Sequence, residues 1–408
     1  MKKKPIVAAI DIGSSHIIAA LAHISDEGDI VPVAFAEMPS KGVKKGGIVN
    51  IPLVQHVISM ILDELQRDGS YHIHSIVTAL SGVSIMGHNA DGVIDIRGNA
   101  ITEHNIKQVV AVARDMSVLE GRQLLHILRQ NFIVDRQSEI ENPIGLMGEK
   151  LGIRVHVISA AKAAYYNLLQ SFSHFDIDVD DVVAAGFASA LAVTTPDEKQ
   201  LGICVLDIGA GTTDITIIHN GVVKHTEVIP LGGELISSDV AFFMRTTLDN
   251  AEAVKKVIHI NKYYSDDDMV EMPGLSEISR RFSKNDIANV MNERCNELIE
   301  IVMQKITRAG FEENFPGGFV ICGGSAKLHG FSELIMEKTQ LPVRCAEIEI
   351  ALESATYKGS HYATIMGLFM CAYEEDYTRI MTAEHKTGII LRINKVFSSW
   401  LGRLRGQF

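Results

Sequence analysis

Two short stretches hold the residue types that could grip a polyphosphate. They are "DIGSS" at 11–15 and "DIGAGTTD" at 207–214. In each, an aspartate stands just before a glycine and a run of small polar residues. Glycine lets backbone N–H groups approach a phosphate with no Cβ in the way. The groups concerned are Gly13 with the amides of Ser14 and Ser15, and Gly209 and Gly211 with Thr212. Hydroxyls of Ser14, Thr212 and Thr213 add hydrogen bonds. Asp11 and Asp207, at the ends of their strands, are expected to face each other across a cleft. There they would hold Mg²⁺ through its waters, as suits a hard ion that keeps much of its hydration shell. A third stretch, "FVICGGSAKLHG" at 319–330, runs a strand into Gly323, Gly324 and Ser325 and then a helix. That suits close backbone approach to a sugar and its α-phosphate. None of the three matches GxxxxGK[ST] or GxGxxG. One Asp-Ile-Gly turn alone would read as a plain hairpin; two at domain spacing, with a late Gly-Gly-Ser, point to a nucleotide site.

The elements that must position these residues are legible. "PIVAAIDIGSSHIIAALAHI" (5–24) and "LGICVLDIGAGTTDITIIHNG" (201–221) share one plan, strand–turn–strand. Their separation of about half the chain suggests duplicated α/β halves rather than a solenoid. "PLVQHVISMILDELQRDG" (52–69) has helical apolar spacing and "IHSIVTALSG" (73–82) reads as a buried strand. Residues 83–158 read as an inserted α+β piece, and 285–311 as a long amphipathic helix. Residues 374–388 lack periodicity and read as a short linker.

Composition sets limits. With 47% hydrophobic and 22% charged residues, the 408-residue chain is an ordinary folded protein of two or more domains. Its formal charge of −12 gives no reason to expect nucleic acid as a partner. The five cysteines show no CxxC spacing, which predicts reduced thiols in a cytoplasm. Asp11 interrupts the first apolar run too early for a signal peptide, and no segment has the length to span a bilayer.

The stretch 385–408 is different. It holds Lys386, Arg392, Lys395, Arg403 and Arg405 and no acid, so the residues before it carry −17. Ile393, Val396, Phe397, Trp400, Leu401, Leu404 and Phe408 fall on one helical face, with the basic residues off it. The chain's single tryptophan sits mid-face. A basic amphipathic helix at 389–408 with bulky aromatics fits a membrane interface. Each basic residue near an anionic surface contributes about 1 kcal/mol, so one copy binds modestly and a polymer of many copies binds well.

These loops, in this order, resemble those of the actin/Hsp70/sugar-kinase ATPase superfamily. Within it the chain resembles the FtsA family of bacterial cell-division proteins. The likeness runs through "PSKGVKKGGIVN", "ALSG", "NPIGLMG", "AGFASALAV", "VLDIGAGTTDITI", "VIPLGGELISSDVA", "AEAVKK", "ICGGSAKLHG", "HYATIMGL" and the amphipathic terminus. The resemblance implies an actin-like duplicated ATPase-clamp fold with an inserted α+β subdomain. Its first lobe would comprise 1–82 with 159–192 and 355–373, and the insert 83–158. The second would comprise 193–247 with 315–354, plus a small subdomain at 248–314. It implies an ATP site in which Asp11–Ser15 and Asp207–Asp214 are the phosphate loops and Gly232 and Gly233 line the nucleotide. Glu252 and Lys255 would flank the adenosine from one helix face. It implies as partners the C-terminal peptide of the tubulin-like protein FtsZ, docking on 248–314 with Arg294 a candidate contact. Further copies of the chain in a filament, later division proteins and anionic lipid complete the set. The implied place is the cytoplasmic side of the inner membrane at the division site.

One departure bears on catalysis. Where relatives place a water-orienting Gln or Glu, this chain has Ser159 and Ala160. Losing such a group removes a factor of about 10²–10⁴, so the expectation is at most a slow ATPase with a mainly structural role. The alternative class is an enzyme of the same fold, such as a sugar kinase. It would need a catalytic aspartate on a cleft-facing loop, and no such loop motif stands out.

Overall fold

A computed structural model describes residues 6–25, 29–67, 71–73, 75–274, 279–312, 314–373 and 379–380. The amphipathic stretch 389–408 and most of 374–388 lie outside the described residues.

Two five-stranded sheets share one topology. In the first, the strands run in the order 178–184, 75–80, 6–12, 16–24, 30–39. In the second the order is 343–345, 319–322, 203–208, 213–219, 222–229. In both, the first strand of the Asp-Ile-Gly hairpin is central. It pairs antiparallel with the strand after the turn and parallel with a later one. The duplication expected from the two hairpins is thus present in strand order and strand direction.

Period-two alternation explains how the second sheet holds two layers of core. Along Ile203–Ile208, Ile203 and Val205 face the core continuous with the first sheet. Cys204, Leu206 and Ile208 face a second core under the long helix Lys284–Ala309. That helix buries Ile287, Met291, Cys295, Leu298, Val302 and Ile306, the spacing of one face. Gly310 ends it in the left-handed conformation, which glycine adopts without strain.

Between the sheets lie the helices Ala185–Val193 and Ala363–Tyr373. The first is rich in alanine, with one phenylalanine, Phe187, and is buried nearly all round. They cross so closely that a methyl group on Gly367 would stand 1.9 Å from the Ala188 carbonyl oxygen.

The inserted piece forms its own sheet from strands 85–95, 122–134, 137–140 and 150–161, with the helix Glu103–Met116 on one face. Thr102 caps that helix in a reciprocal capping box with Asn105. The insert reaches the second lobe by polar contacts: Gln130 Nε2 donates to the Val223 carbonyl at 2.7 Å, and His156 Nε2 lies 2.9 Å from Thr226 Oγ1. Within the stretch expected to be a linker, Arg379–Ile380 pairs antiparallel with Leu128 and Ile127 of the insert. Among the described residues, no helix is long and apolar enough to cross a membrane.

Candidate functional site

The two Asp-Ile-Gly turns close identically. The Gly13 N–H donates to the His16 carbonyl at 3.0 Å, and the Gly209 N–H to the Thr212 carbonyl at 2.9 Å. They also face each other. A methyl group on Gly211 would lie 2.5 Å from Ser14 Oγ, and the Ser81 and Thr212 hydroxyls approach to 3.5 Å. The turns of the two lobes therefore share one mouth.

Three carboxyls stand behind it. Burial, then the charge of Asp207, raises Asp11 to about 7, and the Thr364 hydroxyl partly offsets this. Burial also raises Asp207, against hydrogen bonds from Ser189 and Thr364. Asp214 is pushed well up by burial and by both other aspartates. Ser189 Oγ donates to Asp207 Oδ2 at 2.5 Å and lies 3.0 Å from Thr364 Oγ1. The helices between the lobes thus supply the hydroxyls that orient this group.

Carboxyls crowded in low dielectric resist joint ionisation until a cation joins them. Asp11 and Asp207 remain partly open to solvent, whereas Asp214 is 6% exposed. Among the described residues, no three His, Cys, Asp or Glu side chains converge closely enough to ligate a metal directly. Paired acidic oxygens of this kind are hard donors, the type that suits a hydrated cation such as Mg²⁺.

The structure redistributes several expected roles. Thr213 is fully buried, and its hydroxyl donates to the Leu231 carbonyl at 2.9 Å. That bond secures the loop carrying Gly232 and Gly233. The Ser325 hydroxyl donates to the Gly209 carbonyl at 2.9 Å, and the Gly233 N–H donates to the same oxygen at 3.0 Å. The late Gly-Gly-Ser stretch and the "PLGGE" loop are both clamped onto the second turn. Ser14 Oγ accepts the Gly46 N–H at 2.9 Å, and Ser15 Oγ pairs with His16 Nδ1 at 2.9 Å.

Gly323 has φ +85, and a methyl there would meet Asp207 Oδ1 at 2.4 Å. Gly324 faces open space, which leaves its backbone free to approach a ligand. Gly324–Lys327 forms only a short 3₁₀ turn; the α-helix begins at Phe331, because Gly330 in the left-handed region interrupts the run.

Glu252 and Lys255 are more deeply set than an exposed i,i+3 pair. Lys255 is 8% exposed; its Nζ donates to the Gly233 carbonyl at 3.0 Å and pairs with Glu252 at 2.6 Å. Glu252 also accepts the Ser237 hydroxyl at 2.5 Å. Arg294 is committed as well: it forms a two-pronged bond to Asp239 at 2.6 and 3.1 Å and pairs with Glu297. Arg280 and Arg281 of the same subdomain are exposed and have no ion pair among the described residues. Ser159 and Ala160 are buried strand residues, and the Ser159 hydroxyl accepts Arg122 Nε at 2.8 Å. Sequence reasoning missed Ser189, Thr364, Ser81 and the 45–46 turn. Each lies in a segment that carries the family resemblance, "AGFASALAV", "HYATIMGL", "ALSG" and "PSKGVKKGGIVN", but no local pattern marks the residue itself.

Comparisons with known proteins agree with this arrangement. The model of the family described as "SHS2 domain inserted in FTSA" matches residues 82–159, and that of "Cell division protein FtsA" matches 204–367. A Pseudomonas aeruginosa protein described as "Cell division protein FtsA" is 32% identical over 370 residues, 90% of this chain and 88% of that protein. The chain belongs to the FtsA family. An Escherichia coli K12 relative of the same description is 28% identical, covering 98% of this chain and 97% of that protein.

FtsA family membership makes this a cell-division protein with an actin-like α/β fold. Solved structures show the same fold at low identity. The "PilM-PilN type IV pilus biogenesis complex" superposes with TM-score 0.64 at 16% identity, over 90% of this chain and 98% of that one. Spiroplasma citri MreB 5 bound to AMPPNP gives 0.50 at 15% identity, over 91% and 96%. A "MamK double helical filament" gives 0.51 at 12% identity, over 90% and 99%.

Proposed function

We propose that this FtsA-family chain binds ATP with Mg²⁺ between its lobes and assembles into filaments on the cytoplasmic face of the membrane. There it anchors the FtsZ ring and recruits later division proteins. The observation that carries the nucleotide reading is the facing pair of Asp-Ile-Gly turns, backed by Asp11, Asp207 and Asp214. Gly13, Ser14, Ser15, Gly209, Gly211 and Thr212 line the phosphates. Gly232, Gly233, Gly323 and Gly324 border the nucleoside end, held by Thr213, Ser325 and the Glu252–Lys255 pair. Bound Mg²⁺ would neutralise phosphate charge and draw Asp11 and Asp207 towards one centre. The protein's own part is to orient those carboxyls through Ser189 and Thr364 and to join the lobes only when both turns are engaged.

In this reading the role is mainly structural, with at most slow hydrolysis. Assembly is supported by the MamK filament and the nucleotide-bound MreB 5 with which the chain shares its fold. Membrane attachment is supported by the basic amphipathic stretch 389–408. The proposed division of labour gives nucleotide binding to lobes 1–82 and 193–247 with their returning segments, and assembly and recruitment to 83–158. FtsZ docking falls to 248–314.

The test is ATP-dependent co-sedimentation with anionic vesicles, comparing the full chain with one lacking 389–408. The full chain should pellet with vesicles and the shortened one should stay in solution while still binding ATP. Equal pelleting of the two would defeat the anchor reading.

A further inference from the structure

Resting on the ATP reading above, we propose that Lys45 is a further nucleotide-binding residue, one that contacts the terminal phosphate. The segment "PSKGVKKGGIVN" folds as a minimal hairpin: Val43–Lys44 pairs with Gly47–Ile48, and Lys45 and Gly46 form its two-residue turn. Both turn residues have positive φ, +49 at Lys45 and +71 at Gly46. Such a turn favours Asn, Asp or Gly at its first position. Lysine there is disfavoured, and a residue whose backbone is held in the left-handed region against its preference is a reason to look for a role.

The turn lies at the mouth of the site. The Gly46 N–H donates to Ser14 Oγ of the first phosphate turn at 2.9 Å. Across the cleft, a methyl group on Gly211 would stand 2.9 Å from the Lys45 Cα and 3.0 Å from its nitrogen. One on Gly82 would stand 3.1 Å from the Lys45 carbonyl oxygen. The backbone of Lys45 is thereby wedged between the turns of both lobes.

The two phosphate turns bring no cation of their own. Neither contains Lys or Arg, and three carboxyls stand behind them. Lys255 is held by Glu252 and the Gly233 carbonyl, and Lys327 Nζ lies against Gly359. Lys45 is exposed and has no ion pair among the described residues. Its backbone is fixed at the mouth, and a flexible four-carbon stem gives its ammonium the reach to meet a ligand there. A triphosphate differs from a diphosphate by charge at its far end, so such a contact discriminates ATP from ADP.

Calorimetric titration of ATP and of ADP, each with Mg²⁺, into the full chain tests this with Lys45→Ala, Lys45→Gly and Lys45→Arg. A charge-assisted contact predicts that the alanine and glycine variants lose roughly tenfold to a hundredfold in ATP affinity. ADP affinity should hold and the arginine variant should recover most of the loss. The glycine variant removes backbone strain as well as charge, so recovery in it would assign the effect to the turn and overturn the proposal. Unchanged ATP affinity, or equal weakening for both nucleotides, overturns it too while leaving the ATP site intact. Failure of the wild-type chain to bind either nucleotide would instead defeat the underlying reading, and Lys45's role with it.

Discussion

Replacing Gly211 with alanine places a methyl group between the two lobes. Gly211 has ordinary φ, so the substitution does not strain its own backbone. The new Cβ would lie 2.5 Å from Ser14 Oγ, which can rotate away, but also 2.9 Å from the Lys45 Cα, which cannot. Real Cβ contacts do not fall that short, so the turns must part. Overpacking a tight contact costs about 1–3 kcal/mol. The cost falls on the closed arrangement of the lobes, so nucleotide affinity should drop by roughly five- to a hundredfold. The lobes' own cores are untouched, and the thermal midpoint of the free protein should move little. Gly47→Ala is the control: on the same hairpin its Cβ meets only the Lys44 carbonyl, at an ordinary 3.5 Å. Calorimetry with Mg-ATP reads affinity, and a thermal melt without nucleotide reads stability. If Gly211→Ala binds ATP as the wild type does, or Gly47→Ala weakens it as much, closure through this contact is refuted.

Four further outcomes follow from the structure. Asp11 has its carboxyl near 7 in the folded chain against 3.8 as a free side chain, so its ionisation opposes folding. Without Mg²⁺, its contribution to stability is greatest below about pH 4 and is lost as pH rises through 7. Binding has the opposite sign: Mg-nucleotide affinity should fall about tenfold per pH unit below 7. Titrations at pH 8 and pH 6 that agree would refute it. Lys255→Met should destabilise the second lobe by about 1–3 kcal/mol, because Glu252 and the Gly233 carbonyl lose their buried partner; urea unfolding measures this, and an unchanged midpoint would contradict it. In the small subdomain, Arg294→Ala should lower stability by about 1 kcal/mol by freeing Asp239. Arg280→Glu with Arg281→Glu should leave stability unchanged and weaken FtsZ-peptide binding; peptide titration showing the reverse pattern would redirect the docking site to Arg294.

The duplicated halves were legible because each core strand is a β-rich apolar run cut off by Asp-Ile-Gly, a signal local in sequence. The long helix at 285–311 and the strand at 73–82 were legible for the same reason: periodicity and stop signals act within one element. Roles that depend on partners far along the chain were not. Thr213 was expected to add its hydroxyl to a phosphate and Ser325 to stand by the sugar, yet each hydroxyl meets a carbonyl in another loop. That Lys255 also donates to the Gly233 carbonyl was not legible, because nothing local announces that oxygen beneath it. Arg294 looked free because Asp239 lies 55 residues away in sequence. The contact of the insert with the strand Val222–Ile229 is likewise a property of the folded whole. Ile393 to Phe408, read as one apolar helical face by their spacing, lie outside the described residues.

The central claim is that Asp11 and Asp207, one from each lobe, serve a single magnesium-bound nucleotide. Calorimetry of ATP binding to wild type, Asp11→Asn and Asp207→Asn, each with Mg²⁺ and with chelator, tests it most directly. One nucleotide per chain should bind tightly with Mg²⁺, and either substitution should remove most of the gain that Mg²⁺ provides while affinities in chelator converge. ATP affinity indifferent to Mg²⁺, or sensitive to only one of the two aspartates, would contradict it.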